Sequence, residues 1–194
     1  MNKLAVGVLA LQGDFELHQK SLRKLGVHAP LVRTKEELDA CRGLIIPGGE
    51  STTLIKLLNK TGMPEAVKKF SEDRPVFGTC AGCIAMATRI TNDTMTPMGL
   101  IDMDVERNAY GRQVDSFVDT VQIPMFDSRP GFEGIFIRAP KILSVGGETE
   151  ILAYHRDEIV MARNKRVLVA TFHPELTGDT RIHRFFLEAF FASA

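Results

Sequence analysis

Residues 4–11, LAVGVLAL, form an almost unbroken apolar run, the pattern of a strand covered on both faces in a parallel sheet. A helix is expected next. Asp14 can cap FELHQKSLRKL, Phe15, Leu22 and Leu25 fall at helical spacing, and Gly26 supplies a left-handed stop. VHAPLV (27–32) reads as a second strand. Thr34 opens TKEELDAC with Glu37 three residues on, the capping-box pattern, and GLIIP (43–47) reads as another buried strand. STTLIKLLNKTG and PEAVKKFSED are helical, and PVFG is a short strand leading to Cys80. This βαβαβ alternation predicts an α/β fold: a doubly wound, mainly parallel sheet flanked by helices.

The second half changes character. MGLIDMDVERNA, DSFVDTVQIP, GIFIRAP, EILAYHR, EIVMARN and KRVLVATFHP read as short strands separated by turn residues, which predicts a mixed or antiparallel strand extension. RIHRFFLEAFFAS closes the chain as an amphipathic helix with Phe185, Phe186, Ala189 and Phe190 turned to the sheet. No repeat or linker interrupts the pattern, and 194 residues at 44% hydrophobic fit one domain spanning 1–194.

Charge and cysteines narrow the partners. Lys plus Arg equals Asp plus Glu at 24 each, with no long single-sign block, so neither nucleic acid nor an anionic membrane is expected and a small or neutral ligand fits better. The N-terminal apolar run is too short for a signal peptide or a membrane span. Three cysteines, Cys41, Cys80 and Cys83, cannot all pair and are few for a disulfide scaffold. Reduced thiols and a cytoplasmic location follow as expectations.

Candidate chemistry centres on GTCAG (78–82). A strand turning sharply into a helix needs small residues beside the apex, and Gly78 and Gly82 supply them. Cys80 would then project at the carboxyl end of the sheet, where open α/β folds bind ligands, and at a helix N-terminus that favours thiolate. A buried small hydrophobe is the alternative for any lone cysteine. Cys83 makes a C-x-x-C with Cys80, but without a second such pair zinc is disfavoured, and Cys83 and Cys41 read as structural.

Of His18, His28, His155, His173 and His183, His173 has the setting of a partner for Cys80: it ends the apolar strand RVLVATF and begins HPE. Residues two apart in extended chain face the same way, which lets Glu175 reach the His173 ring. The other four suit surface or core roles. HPE alone could equally be a strand-end turn. Oxyanion donors would come from the N–H of Ala81 and from PGGES (47–51), where Gly48 and Gly49 leave backbone N–H groups accessible. Such a Gly-Gly pair also suits a plain tight turn, or a phosphate cradle, but the lysine of a P-loop is missing. Arg107 and Arg138 suit carboxylate recognition, and equally a solvated surface. No metal or cofactor is expected.

Together, ALQGD (10–14), PGGESTT (47–53), GTCAG (78–82), RNAYGRQ (107–113), FIRAP (136–140) and FHPELT (172–177) resemble the class I, or triad, glutamine amidotransferases, and among them the glutaminase subunits of pyridoxal 5'-phosphate synthases. The resemblance runs nearly the whole length, in order. It implies hydrolysis of L-glutamine to glutamate and ammonia, with ammonia passed to a separate synthase subunit in a hetero-oligomer. It implies Cys80 as nucleophile, His173 as base and acid, and Glu175 as its orienter. Gly49, Glu50 and Ser51 match the glutamine-binding loop, and Arg107, Ile137 and Arg138 match further substrate positions. Gln12, Gly13 and Asp14 match a segment that meets the synthase subunit. Cys83 stands where this family has an aliphatic residue, which predicts a more oxidation-prone protein. Rival readings are a glutaminase of another pathway, a cysteine hydrolase with the same elbow, and a scaffold that has lost chemistry.

Overall fold

A computed structural model describes residues 4–107, 116–126 and 131–191. In chain order the first half runs β1 (Val6–Leu9), α1 (Phe15–Lys24), β2 (Leu31–Val32), α2 (Lys35–Asp39), β3 (Gly43–Ile46), α3 (Ser51–Thr61), α4 (Met63–Ser71), β4 (Val76–Thr79) and α5 (Ala81–Met86). The second half holds β5 (Ala87–Thr91), β6 (Ile101–Glu106), β7 (Ser116–Val121), β8 (Phe132–Ile137), β9 (Lys141–Val145), β10 (Glu150–His155), β11 (Glu158–Arg163), β12 (Val167–Ala170) and α6 (Arg181–Phe191).

Ten strands form one sheet, nine in the order β2-β1-β3-β4-β12-β11-β9-β6-β5 and β10 paired to β11 off this path. The stretch from β2 to β12 is parallel throughout. Antiparallel pairing begins where β12 meets β11 and continues through β9 to β6. The predicted parallel sheet with a mixed extension is therefore what forms, with β7 and β8 as a separate antiparallel pair.

Alternation along the central strands divides the core by sheet face. Leu44, Ile46, Val76, Val167 and Val169 pack with Leu38, Leu54, Leu58, Val67 and Phe70 of α2, α3 and α4. Ile45, Phe77, Leu168 and Ala170 turn the other way, against Leu22 of α1, Ile182 and Phe186 of α6, and Phe132 and Phe136 of β8. Both faces are covered, which is why these strands read as continuous apolar runs rather than as alternation.

Local departures from the sequence pattern have identifiable causes. The 27–32 strand contracts to Leu31–Val32 plus a bridge between Ala5 and His28, because Pro30 has no N–H to extend the ladder. The Thr34 capping box forms as expected. Asp14, in contrast, makes no side-chain cap to α1. The helix expected after Cys80 is short: α5 ends at Met86 and Ala87 starts β5, so the apolar stretch AGCIAMAT (81–88) is divided between helix and strand. The N–H groups of Met98, Gly99 and Leu100 take the carbonyls of Ala85, Ala87 and Met86, satisfying the helix end from outside. On α6 the buried stripe is Ile182, His183 and Phe186, with Phe185 and Phe190 partly covered. Ala189 is exposed, a correction to its expected place on the sheet.

Candidate active site

Cys80 sits between β4 and α5 with φ 46° and ψ −103°. An L-residue held at positive φ costs on the order of 1–3 kcal/mol and persists only where its surroundings over-determine it. Here the Cys80 N–H donates to Ala170 O at 2.9 Å, and its carbonyl accepts from Ile84 N–H at 3.1 Å. The flanking glycines are required by contact. A Cβ on Gly82 would lie 2.1 Å from Ile46 O, and one on Gly78 would lie 2.5 Å from Met86 Sδ. Cys80 is 5% exposed, its sulfur 3.7 Å from Ile137 O.

His173 reaches the same place because β12 is the parallel neighbour of β4, with Ala170 opposite Thr79. Residues just beyond the two strand ends therefore meet. A Cβ on Gly48 would lie 2.4 Å from His173 Cε1 and 3.2 Å from Cys80 Cβ, so the PGG backbone packs directly on both. His173 N–H donates to Ile135 O at 2.9 Å, and the turn Pro174–Leu176 brings Glu175 Oε1 to 2.7 Å from His173 Nδ1. Burial disfavours a charged ring at His173, but the Cys80 sulfur and the Glu175 carboxylate outweigh it and raise its pKa to about 10. For Glu175 burial is again the opposing effect. The His18 ring and the His173 hydrogen bond overcome it and hold the carboxyl below its usual range.

In front of Cys80 and His173 opens a cavity of about 280 Å³ lined by Asp14, Gly49, Glu50, Ser51, Ile84, Arg107, Ile137 and Arg138 as well. That volume suits one amino acid rather than a drug-sized ligand. Glu50 caps α3, its carboxylate accepting from Thr52 N–H at 3.0 Å and from Thr53 N–H at 2.7 Å. Burial would raise its pKa, but these donors prevail and hold it at about 2. Arg107 donates to Asp93 at 2.5 Å and to Thr52 Oγ1 at 3.0 Å, and stands 3.7 Å from Glu50. The remaining residues of RNAYGRQ lie outside the described residues. Arg138 is exposed and held at φ 42°. Gln12 Oε1 accepts from Glu50 N–H at 3.2 Å, and a Cβ on Gly13 would lie 1.8 Å from Gly48 O. The QGD and PGGES segments are thus locked backbone to backbone. Ala81, the first residue of α5, is buried.

Every residue singled out from the sequence for this site therefore lies in or beside one pocket. Three residues that sequence reasoning passed over complete its rear: His18, Thr79 and His183, all fully buried. The signal for the two histidines was their place on apolar helix stripes, His18 one turn from Phe15 and Leu22, His183 one turn from Phe186; Thr79 carried none. Donor atoms of Asp14, His173 and Glu175 come within 4.8 Å of one another, the spacing of a cation site, but His173 and Glu175 engage theirs in bonding each other. Cys83 is sealed and burial pushes its thiol far up, which argues against the expected sensitivity to oxidation at that position.

A family model described as the SNO glutamine amidotransferase family matches residues 8–192. A pyridoxal 5'-phosphate synthase subunit PdxT from Thermotoga neapolitana is 50% identical over 186 residues, covering 95% of this chain and 98% of that protein. The same-named subunit from Pelotomaculum thermopropionicum is 51% identical, with coverage of 95% and 94%. A crystal structure of a glutamine amidotransferase, 45% identical, superposes with a TM-score of 0.88 over 95% of this chain and 97% of the other. A chain of the PurLQS structure from Thermotoga maritima shares the fold at 15% identity and a TM-score of 0.73, over 96% of this chain and 98% of the other.

Proposed function

The chain belongs to the SNO glutamine amidotransferase family, and we propose that it is the glutaminase subunit of a pyridoxal 5'-phosphate synthase, with Cys80, His173 and Glu175 as its catalytic triad. The observation that carries this reading is the buried line of thiol, imidazole and carboxylate at the floor of a cavity sized for one amino acid. The family and the 50% identical subunits support the pathway.

In the proposed reaction the Cys80 proton resides on His173, and the sulfur adds to the side-chain amide carbon of L-glutamine. The oxyanion is held by backbone N–H groups of Ala81 and of the Gly48–Gly49 segment, where losing one donor typically costs about 3 kcal/mol of transition-state stabilisation. His173 then gives its proton to the amide nitrogen as the C–N bond breaks, releasing ammonia and leaving a γ-glutamyl thioester. A water deprotonated by His173 adds to the thioester, the C–S bond breaks, and glutamate leaves. Glu175 keeps the His173 proton on Nδ1 and the imidazolium in place. Gly49, Glu50 and Ser51, with Arg107, Ile137 and Arg138, recognise the amino acid head of glutamine.

Ammonia in water at neutral pH becomes mostly ammonium and loses nucleophilicity, so delivery requires a docked synthase subunit. Gln12, Gly13 and Asp14 are the proposed contact. Because Gly13 abuts Gly48 and Gln12 holds the Glu50 N–H, a partner pressing on QGD shifts the population of the PGG segment and completes the oxyanion hole. The isolated subunit is then nearly idle. Cytoplasmic residence suits its three free thiols.

Glutamine hydrolysis by wild type and Cys80→Ala, each with its cognate synthase subunit, tests the reading. We expect robust turnover by wild type and loss of at least about a thousand-fold in the variant; retained activity would reject the triad. Equal wild-type rates with and without the synthase subunit would reject activation by docking.

A further inference from the structure

Behind the cavity two histidines stand in series with the triad. His18 Nδ1 lies 3.0 Å from His183 Nε2, and His18 Nε2 lies 3.1 Å from Thr79 Oγ1 and 3.2 Å from Glu175 Oε2. Glu175 Oε1 meets His173 Nδ1 on the other side. His18, Thr79 and His183 have no solvent exposure, and Glu175 has almost none. Among the described residues Oε2 of Glu175 has no hydrogen-bond partner, so the nearby His18 nitrogen decides whether that buried carboxylate oxygen sees a positive or a negative dipole.

The contacts favour one placement of the protons. An ionised carboxylate only accepts, and a bare His18 Nε2 would set a lone pair against it at 3.2 Å, so a hydrogen on Nε2, directed at the Thr79 hydroxyl and lying beside Glu175 Oε2, is the favoured arrangement. Burial lowers the pKa of both rings, that of His183 to about 3, which keeps them neutral with one N–H each. His18 Nδ1 is then an acceptor, and His183 must donate from Nε2. His183 Nδ1, the end of the series, makes no hydrogen bond among the described residues, as suits a bare lone pair. Unlike a histidine that merely fills core volume against Phe77, this arrangement favours one tautomer at each ring.

We propose that His18 is a positioning residue for Glu175, and through Glu175 for His173, and that His183 sets the tautomer in which His18 can do this. The role in turnover rests on the glutaminase reading above; the proton pattern does not. The groups facing His18 are Asp14 from the start of α1, Thr79 from β4, His173 and Glu175 from the turn after β12, and His183 from α6.

Two measurements test it. Nitrogen-15 spectra of histidine-labelled full-length protein between pH 6 and 9 should show His18 and His183 both neutral and both protonated at Nε2; an imidazolium or an Nδ1–H form of His18 overturns the proposal, whether or not the protein proves to be a glutaminase. In the complex with its synthase subunit, His18→Leu should lower kcat for glutamine hydrolysis roughly 10- to 100-fold with little change in KM. Losing the N–H dipole beside Glu175 should also move the acid limb of the pH profile up by about one unit. His18→Gln, which keeps an N–H near the Nε2 position, should recover most of both effects. Equal losses in Leu and Gln with an unmoved limb would make His18 packing alone and sink the idea. Should His18→Leu not fold, His183→Leu must show the same limb shift with a several-fold loss of kcat, and an unaltered profile there overturns the proposal. A wild-type complex unable to hydrolyse glutamine would defeat the functional reading, leaving the spectra to decide the placement of His18.

Discussion

Glu50 and Glu175 are both kept ionised close to Cys80, but by different means. Glu50 faces the cavity with its side chain 44% exposed, and is held by the free N–H groups of a helix start and by the Thr53 hydroxyl. Glu175 lies behind the cavity with no side-chain exposure, between two imidazoles. The exposed carboxylate depends on local backbone geometry that any helix of this length could offer. The buried one depends on side chains brought from α1, β4 and α6, far apart in the chain. Solvent forgives an imperfect partner at Glu50; nothing does so at Glu175.

The largest expected effect separates the two. Glu175→Gln should lower kcat of the assembled enzyme by about a thousand- to ten-thousand-fold, because the amide can stabilise the wrong tautomer of His173. Glu50→Gln should act mainly on KM. Similar kcat losses in the two variants would erase the distinction.

Next in size is acid stability. His18 and His183 have folded pKa values below the ordinary 6.5, so the unfolded chain binds more protons as pH falls below 6.5, and folding stability declines from there toward about 3. Each such group contributes a slope of up to about 1.4 kcal/mol per pH unit. Urea midpoints should fall steadily between pH 6.5 and 4.5, well before Glu50 titrates, and this loss should shrink in His183→Leu. A flat profile across that range would mean that the buried histidines do not resist protonation.

A smaller effect is the cap itself. Glu50→Gln should cost about 1 kcal/mol, or roughly 2–4 °C in Tm for a chain of this size, read by calorimetry. The smallest is screening. Raising salt from 0.1 to 1 M shortens the Debye length from about 10 to about 3 Å, which should lift the Glu50 pKa by less than about one unit and leave Glu175 unmoved in carboxyl carbon-13 spectra.

What could be seen in the sequence follows the same division. GTCAG, PGGES and HPE are each built from neighbours in the chain, and their glycines and proline announce local geometry before any folding is considered. The parallel core was legible too, since each strand carries its own apolar run. His18 and His183 were not. Each sits on an apolar helix stripe where a core role explains it well, and their meeting with Thr79 and Glu175 requires α1 and α6 to pack side by side on one sheet face. Strand β5 escaped for a related reason. AGCIAMAT carries no stop signal of its own, and its helix ends where residues 98–100 take its carbonyls.

The sealed position of Cys83 has a consequence for damage. If peroxide converts Cys80 to a sulfenic acid, the natural resolving partner three residues on is buried and protonated, so no intramolecular disulfide forms to shield the sulfur from overoxidation. Recovery must then come from small diffusible thiols entering through the mouth of the cavity in front of Cys80.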